Sequence, residues 1–167
     1  MVRDATAADL EAINKIENDA ILTQFGHFGT SPLLLEATQT AFDGASGIYP
    51  WVVAELDGIV RGFARAGVWK PREAYRWTTE VGVYVDPSCH RRGIGKELYC
   101  LLFQLLKEQG FHTIVAGITI PNEASIKLHE SLGMVKIGVF PDMGYKMGEW
   151  RSVGYWTKVI GEGPPGQ

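Results

Sequence analysis

The sequence predicts an α+β (three-layer α/β) protein, a mixed, mostly antiparallel twisted sheet flanked by helices on both faces. Three observations lead there. Residues 51–56 and 59–64 are apolar runs separated only by Asp57-Gly58, the strongest hairpin signal in the chain. The alternating strand 77–85 feeds a helical run in which Ile94, Leu98, Leu101, Leu102, Leu105 and Leu106 share one face. A second strand–helix pair and two more strands follow from Thr113 onward.

The elements can be justified in order. Val2-Arg3 reads as a short first strand. Thr6-x-x-Asp9 resembles a capping box, with Asp where Glu is usual, and opens a helix running through Leu10, Ile13, Ile16 and Glu17. Residues 24–30, with Gly26 and Gly29, form a loop carrying Phe25, His27 and Phe28. A second helix is predicted over 33–42, and 69–76 connects the hairpin to the long strand. Gly110 ends the main helix, and 113–119 reads as a buried strand. Asn122 caps the next helix, where Ala124, Leu128 and Leu132 recur at i, i+4 and i+8 before the stop at Gly133. Strands are expected near 135–140 and 153–159. No repeat or linker divides the chain, so residues 1–160 read as one domain and the Gly- and Pro-rich 161–167 as a disordered tail.

Composition excludes several classes. At 167 residues, 46% apolar, the chain is long enough to bury a sizeable core. The net charge of −3 gives no basic footprint for nucleic acid; positive charge is local. No apolar run approaches the ~18 residues of a membrane span. Met1-Val2-Arg3-Asp4 lacks the apolar core of a secretory signal. Cys89 and Cys100 have no metal-binding spacing, so free thiols in a reducing cytoplasm, and no metal, are expected.

The chemistry begins at His90-Arg91-Arg92-Gly93-Ile94-Gly95-Lys96, a basic, glycine-containing loop between a strand and a helix N-terminus. Glycine lets backbone approach a ligand, and the first helical N–H groups have no partner inside the helix. With the helix dipole and Arg91 and Arg92, they favour an anion such as a pyrophosphate; the alternative is a basic turn before an ordinary helix. A Walker A loop is excluded because His90 stands where it needs Gly, and Glu97 where it needs Ser or Thr. A dinucleotide fingerprint is excluded because its third glycine falls on Leu98.

Glu80 shares a strand face with Thr78, Gly82 and Tyr84, while Thr79, Val81, Val83 and Val85 point toward the core. A carboxylate there, with Gly82 opening space beside it, suits a general base for a substrate ammonium; an exposed strand face would also accommodate it. His129, beside Leu128 on the helix after Asn122, is either structural or an acid or base. Lys70 and Arg72, separated by Pro71, can address two anions, or form a solvated basic loop.

The loop resembles the acyl-CoA pyrophosphate loop of the GNAT N-acetyltransferase superfamily (Q/R-x-x-G-x-G/A), with His90 departing from the first position. The segments Tyr49-Pro50-Trp51-Val52-Val53-Ala54-Glu55, Trp69-Lys70-Pro71-Arg72-Glu73-Ala74-Tyr75-Arg76-Trp77-Thr78-Thr79-Glu80 and Gly144-Tyr145-Lys146-Met147-Gly148-Glu149-Trp150, with 125–132, resemble the phosphinothricin N-acetyltransferases over about residues 2–156. The resemblance implies the GNAT fold and acetyl transfer from acetyl-CoA to phosphinothricin, methionine sulfone or methionine sulfoximine, with Glu80 as base and His129 as second catalytic residue. It implies that the Val83, Tyr84 and Val85 backbone pairs with the pantetheine arm. Arg91, Arg92, Gly93, Ile94, Gly95 and Lys96 would hold the pyrophosphate, and Asn122 and Ser125 the cofactor's amide end. Phe28, Lys70, Arg72 and Tyr75 would hold the substrate. It further implies a homodimer, which the aromatic segment 145–156, with Trp150 and Trp156, would build. Met147 and Ser152 stand where the family often has His and Asp. The competing readings are an acetyltransferase for another amine or a protein N-terminus, and a non-catalytic acyl-CoA-binding module.

Overall fold

The computed structural model describes residues 1–163; residues 164–167 of the expected tail lie outside the described residues. Its strands are β1 (Val2–Asp4), β2 (Trp51–Leu56), β3 (Ile59–Val68), β4 (Thr78–Val85), β5 (Thr113–Ile120), β6 (Val135–Lys146) and β7 (Glu149–Val159). They form one sheet in the order β1-β2-β3-β4-β5-β7-β6, parallel only between β4 and β5. The hairpin turn is as read. Asp57 and Gly58 have φ of 52° and 75°, the left-handed pair that a two-residue turn between twisted strands requires.

Helices α1 (Leu10–Thr23) and α2 (Leu35–Ala45) cover one face, and α3 (Ile94–Glu108) and α4 (Glu123–Ser131) the other. The period of two in β2 divides the core between them. Trp51 and Val53 meet Leu10, Ile13 and Ile16 of α1, whereas Val52 and Ala54 meet the α3 side, where Leu98, Leu102 and Leu106 are fully buried. No helix among the described residues is long and apolar enough to cross a membrane.

Several expectations need correction. The Thr6–Asp9 box caps a single 3₁₀ turn, Ala7–Asp9, before α1 begins. Helix α2 starts at Leu35, not 33, because Asn14 and Asn18 side chains hold the Leu33 backbone and leave Leu34 extended. The last two strands are much longer than expected, joined by a tight turn at Met147-Gly148 with φ of 53° and 80°. Met147 gave no turn signal, since a non-glycine residue rarely accepts positive φ. Gly161, placed in the disordered tail, instead packs against the Phe111 carbonyl. Trp156, read with the partner-facing segment, is 1% exposed in this chain's own core, its indole donating to Glu130.

A charged fastening ties the first strand to the first helix. Arg3 donates to both Asp9 carboxylate oxygens at 2.8 Å, and the Thr6 N–H donates to Asp9 at 2.8 Å. Hydrogen bonding from Arg3 holds the Asp9 carboxyl down at about 2. A depressed carboxyl stabilises the fold above its unfolded value of ~3.9 and ceases to do so as pH falls through the folded value. We therefore expect Asp9→Asn to lower the melting temperature at neutral pH. In thermal melts the gap to the parent protein should narrow as pH falls from about 4 toward 2. A gap independent of pH would remove the ion pair from this account.

Candidate active site

Strands β4 and β5 pair only at Thr78–Thr113, Thr79–Ile114 and Glu80–Val115. Beyond that point they part, while β4 stays paired to β3 as far as Val85 with Gly62. The backbone of residues 81–85 thus faces an opening instead of a neighbouring strand. The opening is a cleft of about 1010 Å³, walled by Val83, Tyr84 and Val85 on one side and Gly117, Ile118 and Thr119 on the other. Backbone N–H and C=O groups along such an edge can hydrogen-bond an extended, amide-containing ligand as a strand would.

The outer end of the cleft is the N-terminus of α3. Arg91 and Gly93 have φ of 61° and 82°, which turns the chain sharply before Ile94. At Gly95 an added Cβ would lie 3.1 Å from Leu128, so glycine lets α3 and α4 approach. Arg91, Gly93, Ile94, Gly95 and Lys96 line the cleft; Arg92 is exposed beyond it. His90 turns back, its Nε2 2.9 Å from the Val85 carbonyl, and braces the strand end. Free amides, the dipole and two cations converge on one point, which suits a pyrophosphate.

The inner wall comes from α4. Asn122 Oδ1 accepts from the Ser125 N–H at 3.2 Å, so this side chain caps the helix while bordering the cleft. His129 is 3% exposed, and burial lowers its pKa. Its Nδ1 donates to the Ser125 carbonyl at 2.7 Å, which leaves Nε2 to accept from the Tyr99 hydroxyl at 3.0 Å. Both ring nitrogens are occupied. The imidazole is a neutral acceptor that lines the cleft together with Tyr99, whose phenol burial raises well above its usual value.

Glu80 lies at the fork where the strands part. Its Oε1 is 3.6 Å from the position of an added Cβ at Gly117, where a larger residue would crowd the carboxylate. Burial raises the Glu80 pKa, and the nearby Lys70 ammonium partly offsets it. The carboxylate has no hydrogen-bond partner among the described contacts of its side chain, and it borders rather than lines the main cleft. Beside it, Trp69 stands edge-on to Tyr155 with centroids 5.5 Å apart, and Tyr155 to Phe140 likewise. A raised carboxylate next to an ammonium and an aromatic wall can receive a proton from an amine.

The other expected substrate residues are more dispersed. Phe28 packs on β6, where a Cβ at Gly144 would lie 2.5 Å from its ring. Arg72 is exposed and caps the 3₁₀ turn Glu73–Tyr75, and Tyr75 is exposed as well. Neither lines the cleft. Tyr145 stands on the surface of the last hairpin, edge-on to Trp150, so it is no neighbour of the cleft. Sequence reasoning missed Tyr99, Trp69 as a wall with Tyr155, and Gly117. Gly117 carried a usable signal, because glycine inside a β-branched strand marks a close approach. Tyr99 carried none, being one aromatic beside an apolar helix face.

Comparison with known proteins agrees with this geometry. The Acetyltransferase (GNAT) domain family matches residues 2–152. A phosphinothricin N-acetyltransferase of Streptomyces viridochromogenes is 42% identical over 94% of this chain and 86% of its own length. An L-methionine sulfoximine/L-methionine sulfone acetyltransferase of Pseudomonas paraeruginosa is 39% identical over 89% of this chain and 88% of its own. The crystal structure of a GNAT superfamily phosphinothricin acetyltransferase from Sinorhizobium meliloti in complex with AcCoA superimposes with a TM-score of 0.94 at 33% identity, covering 98% of this chain and 89% of that one.

The state of His129 can be measured directly. We expect its NMR titration midpoint below the ordinary ~6.5, with the proton on Nδ1 at neutral pH. Because the folded value is depressed, the unfolded chain binds this proton first, so His129 destabilises the fold as pH drops below ~6.5. A midpoint at or above that value would contradict the buried acceptor geometry.

Proposed function

This chain belongs to the GNAT acetyltransferase family, and on that premise we propose that it acetylates phosphinothricin or a similar amino acid analogue, such as methionine sulfone or sulfoximine, at the amino group. The acetyl donor is acetyl-CoA, which supplies a thioester carbonyl for direct attack. Residues 1–160 act as one catalytic domain, with no metal. The observation that carries this reading is the fork between β4 and β5, where an unpaired strand edge opens onto a cleft that a half-buried carboxylate borders.

Along that edge the backbone of Val83, Tyr84 and Val85 holds the pantetheine arm, while Arg91 to Lys96 neutralise the pyrophosphate. Asn122 and Ser125 hold the amide end. Glu80 takes a proton from the substrate ammonium, which frees the lone pair that attacks the thioester. His129, neutral and linked to Tyr99, is the second proton acceptor of the site. Lys70, whose ammonium acts on Glu80, pairs with the α-carboxylate of an amino acid whose ammonium meets Glu80. Arg72 takes the side-chain anion, and Phe28 and Tyr75 enclose the remainder.

Two features support the rest of the reading. Cys89 and Cys100 are free, as in a reducing cytoplasm. The edge strand β6 exposes Val135, Ile137, Phe140, Met143 and Tyr145, with Trp150 beside them, and such a patch on an unpaired edge suits a second copy of the chain.

A thiol-release assay with acetyl-CoA and a panel of these analogues tests the activity; no release with any of them would end the proposal. Glu80→Gln should cut turnover by about 10²–10⁴ while acetyl-CoA affinity stays, and the loss should shrink at high pH, where more amine is free. Normal turnover in that variant would move the base elsewhere. For assembly, light scattering should give twice the 18.4 kDa chain mass, and a monomer would exclude the dimer.

A further inference from the structure

Lys146 ends β6 beside the Met147-Gly148 turn, yet it is only 5% exposed. Its Nζ donates to the carbonyls of Ile21 at 2.6 Å, Gln24 at 2.8 Å and also His27. An ammonium has three donors, and here all three end on backbone. Ile21 belongs to the last turn of α1, where carbonyls lack intrahelical partners and the dipole favours a cation. No basic residue of α1 itself occupies that turn. The cation comes from 125 residues away in sequence.

What the ammonium grips is the loop 24–30. Gln24 and Gly26 line the cleft, and Gly26 faces the Asn122 side chain. The next residue is tied from a second side. His27 Nε2 donates to the buried Glu17 at 3.1 Å, and its Nδ1 accepts from the Gly29 N–H at 2.9 Å. The hairpin adds two further contacts, the Phe28 ring over Gly144 and the Arg151 guanidinium 3.8 Å above the Phe25 ring. The loop has no regular structure of its own, so its shape is set by these attachments.

We infer that Lys146 is a positioning residue for the amine substrate: it holds the loop 24–30, and with it Phe28, at the acceptor side of the cleft. The inference rests on the acceptor reading given above. It separates the two ligands by where Lys146 reaches: the ammonium donates to no group of β4, α3 or α4, which hold the donor, and touches the cleft only through the loop, at the Gln24 carbonyl. Disturbing the clamp therefore alters acceptor binding and leaves the walls built by β4, α3 and α4 in place.

The test is Lys146→Met, which keeps the apolar stem and removes the three donors. The KM for whichever panel amine the parent enzyme acetylates fastest should rise by about ten- to a hundredfold. Acetyl-CoA affinity by calorimetry should stay within about twofold, and amide exchange should accelerate at 22–30 but not in β4 or α3. An unchanged KM, or equal losses of both ligands, would overturn the proposal, since a purely structural role damages both. Should Lys146→Met fail to fold, Lys146→Arg keeps charge and donors but displaces them. A KM change confined to the amine would then uphold the role, and none would refute it. If the parent enzyme releases no thiol with any amine, the acceptor reading has failed. The exchange measurement still decides whether Lys146 holds the loop.

Discussion

Strands β4 and β5 share only three residue pairs before they diverge, and each part of the site follows from that separation. A fully paired parallel sheet would satisfy the backbone of residues 81–85 and leave no room between the strands. Divergence exposes that edge, brings the N-termini of α3 and α4 to the rim of one cleft, and sets Glu80 at its inner end. Glycine permits the geometry at two places, Gly95 between the two helices and Gly117 beside the carboxylate. The sheet supplies rigidity while the gap supplies chemistry.

Among the described residues, Glu17, Lys146 and Asp9 are buried charges that are each compensated. Glu17 is 1% exposed but accepts from Arg65 at 2.6 Å and from His27. Lys146 is compensated by three carbonyls, and Asp9 by Arg3 and Thr6. An unpaired charge in such places costs several kcal/mol, about as much as a domain can spare. Glu80 is less well compensated. It is half-buried with no hydrogen-bonded cation, only Lys70 nearby, so its carboxyl keeps a raised affinity for protons. Tyr84, four residues along the same strand, is pushed up to about 12 by burial, which keeps it neutral.

On the proposed reading the donor and acceptor sides are built differently. The donor side is mainly backbone and helix termini, with the Arg91 and Lys96 cations and the Asn122 side chain added to them. The acceptor side is assembled from the connection before β4, the loop after α1 and the last hairpin, three segments far apart in sequence. Trp69, Tyr155 and Phe140 meet there across the β6–β7 pairing, Tyr155 standing edge-on to both of the other rings. Substitutions at Met147 and Ser152 fall in this same hairpin, where Ser152 accepts from the Asp142 N–H at 3.3 Å.

Local chemistry was legible in the sequence wherever one segment held the whole signal. The Asp57-Gly58 turn, the apolar face of α3, the cap at Asn122 and the glycine loop from Gly93 to Gly95 each follow from periodicity or backbone freedom within a few residues. Strand alternation separated Glu80 from Thr79 and Val81, but the expectation of one core face needs correction: helices cover both faces, and Tyr84 on the Glu80 face packs with Phe63 in the core under α1. Tertiary structure alone decided the rest. Whether β5 pairs with β4 along its length, whether His129 faces solvent or Tyr99, and which carbonyls Lys146 reaches depend on partners 30 to 125 residues away. The same held for Trp156, assigned to a partner surface by its aromatic neighbours but drawn into the core by the register of β7 on β5. A sequence records the periodicity of its own elements; the distances between elements come from packing, and it is those distances that make a site.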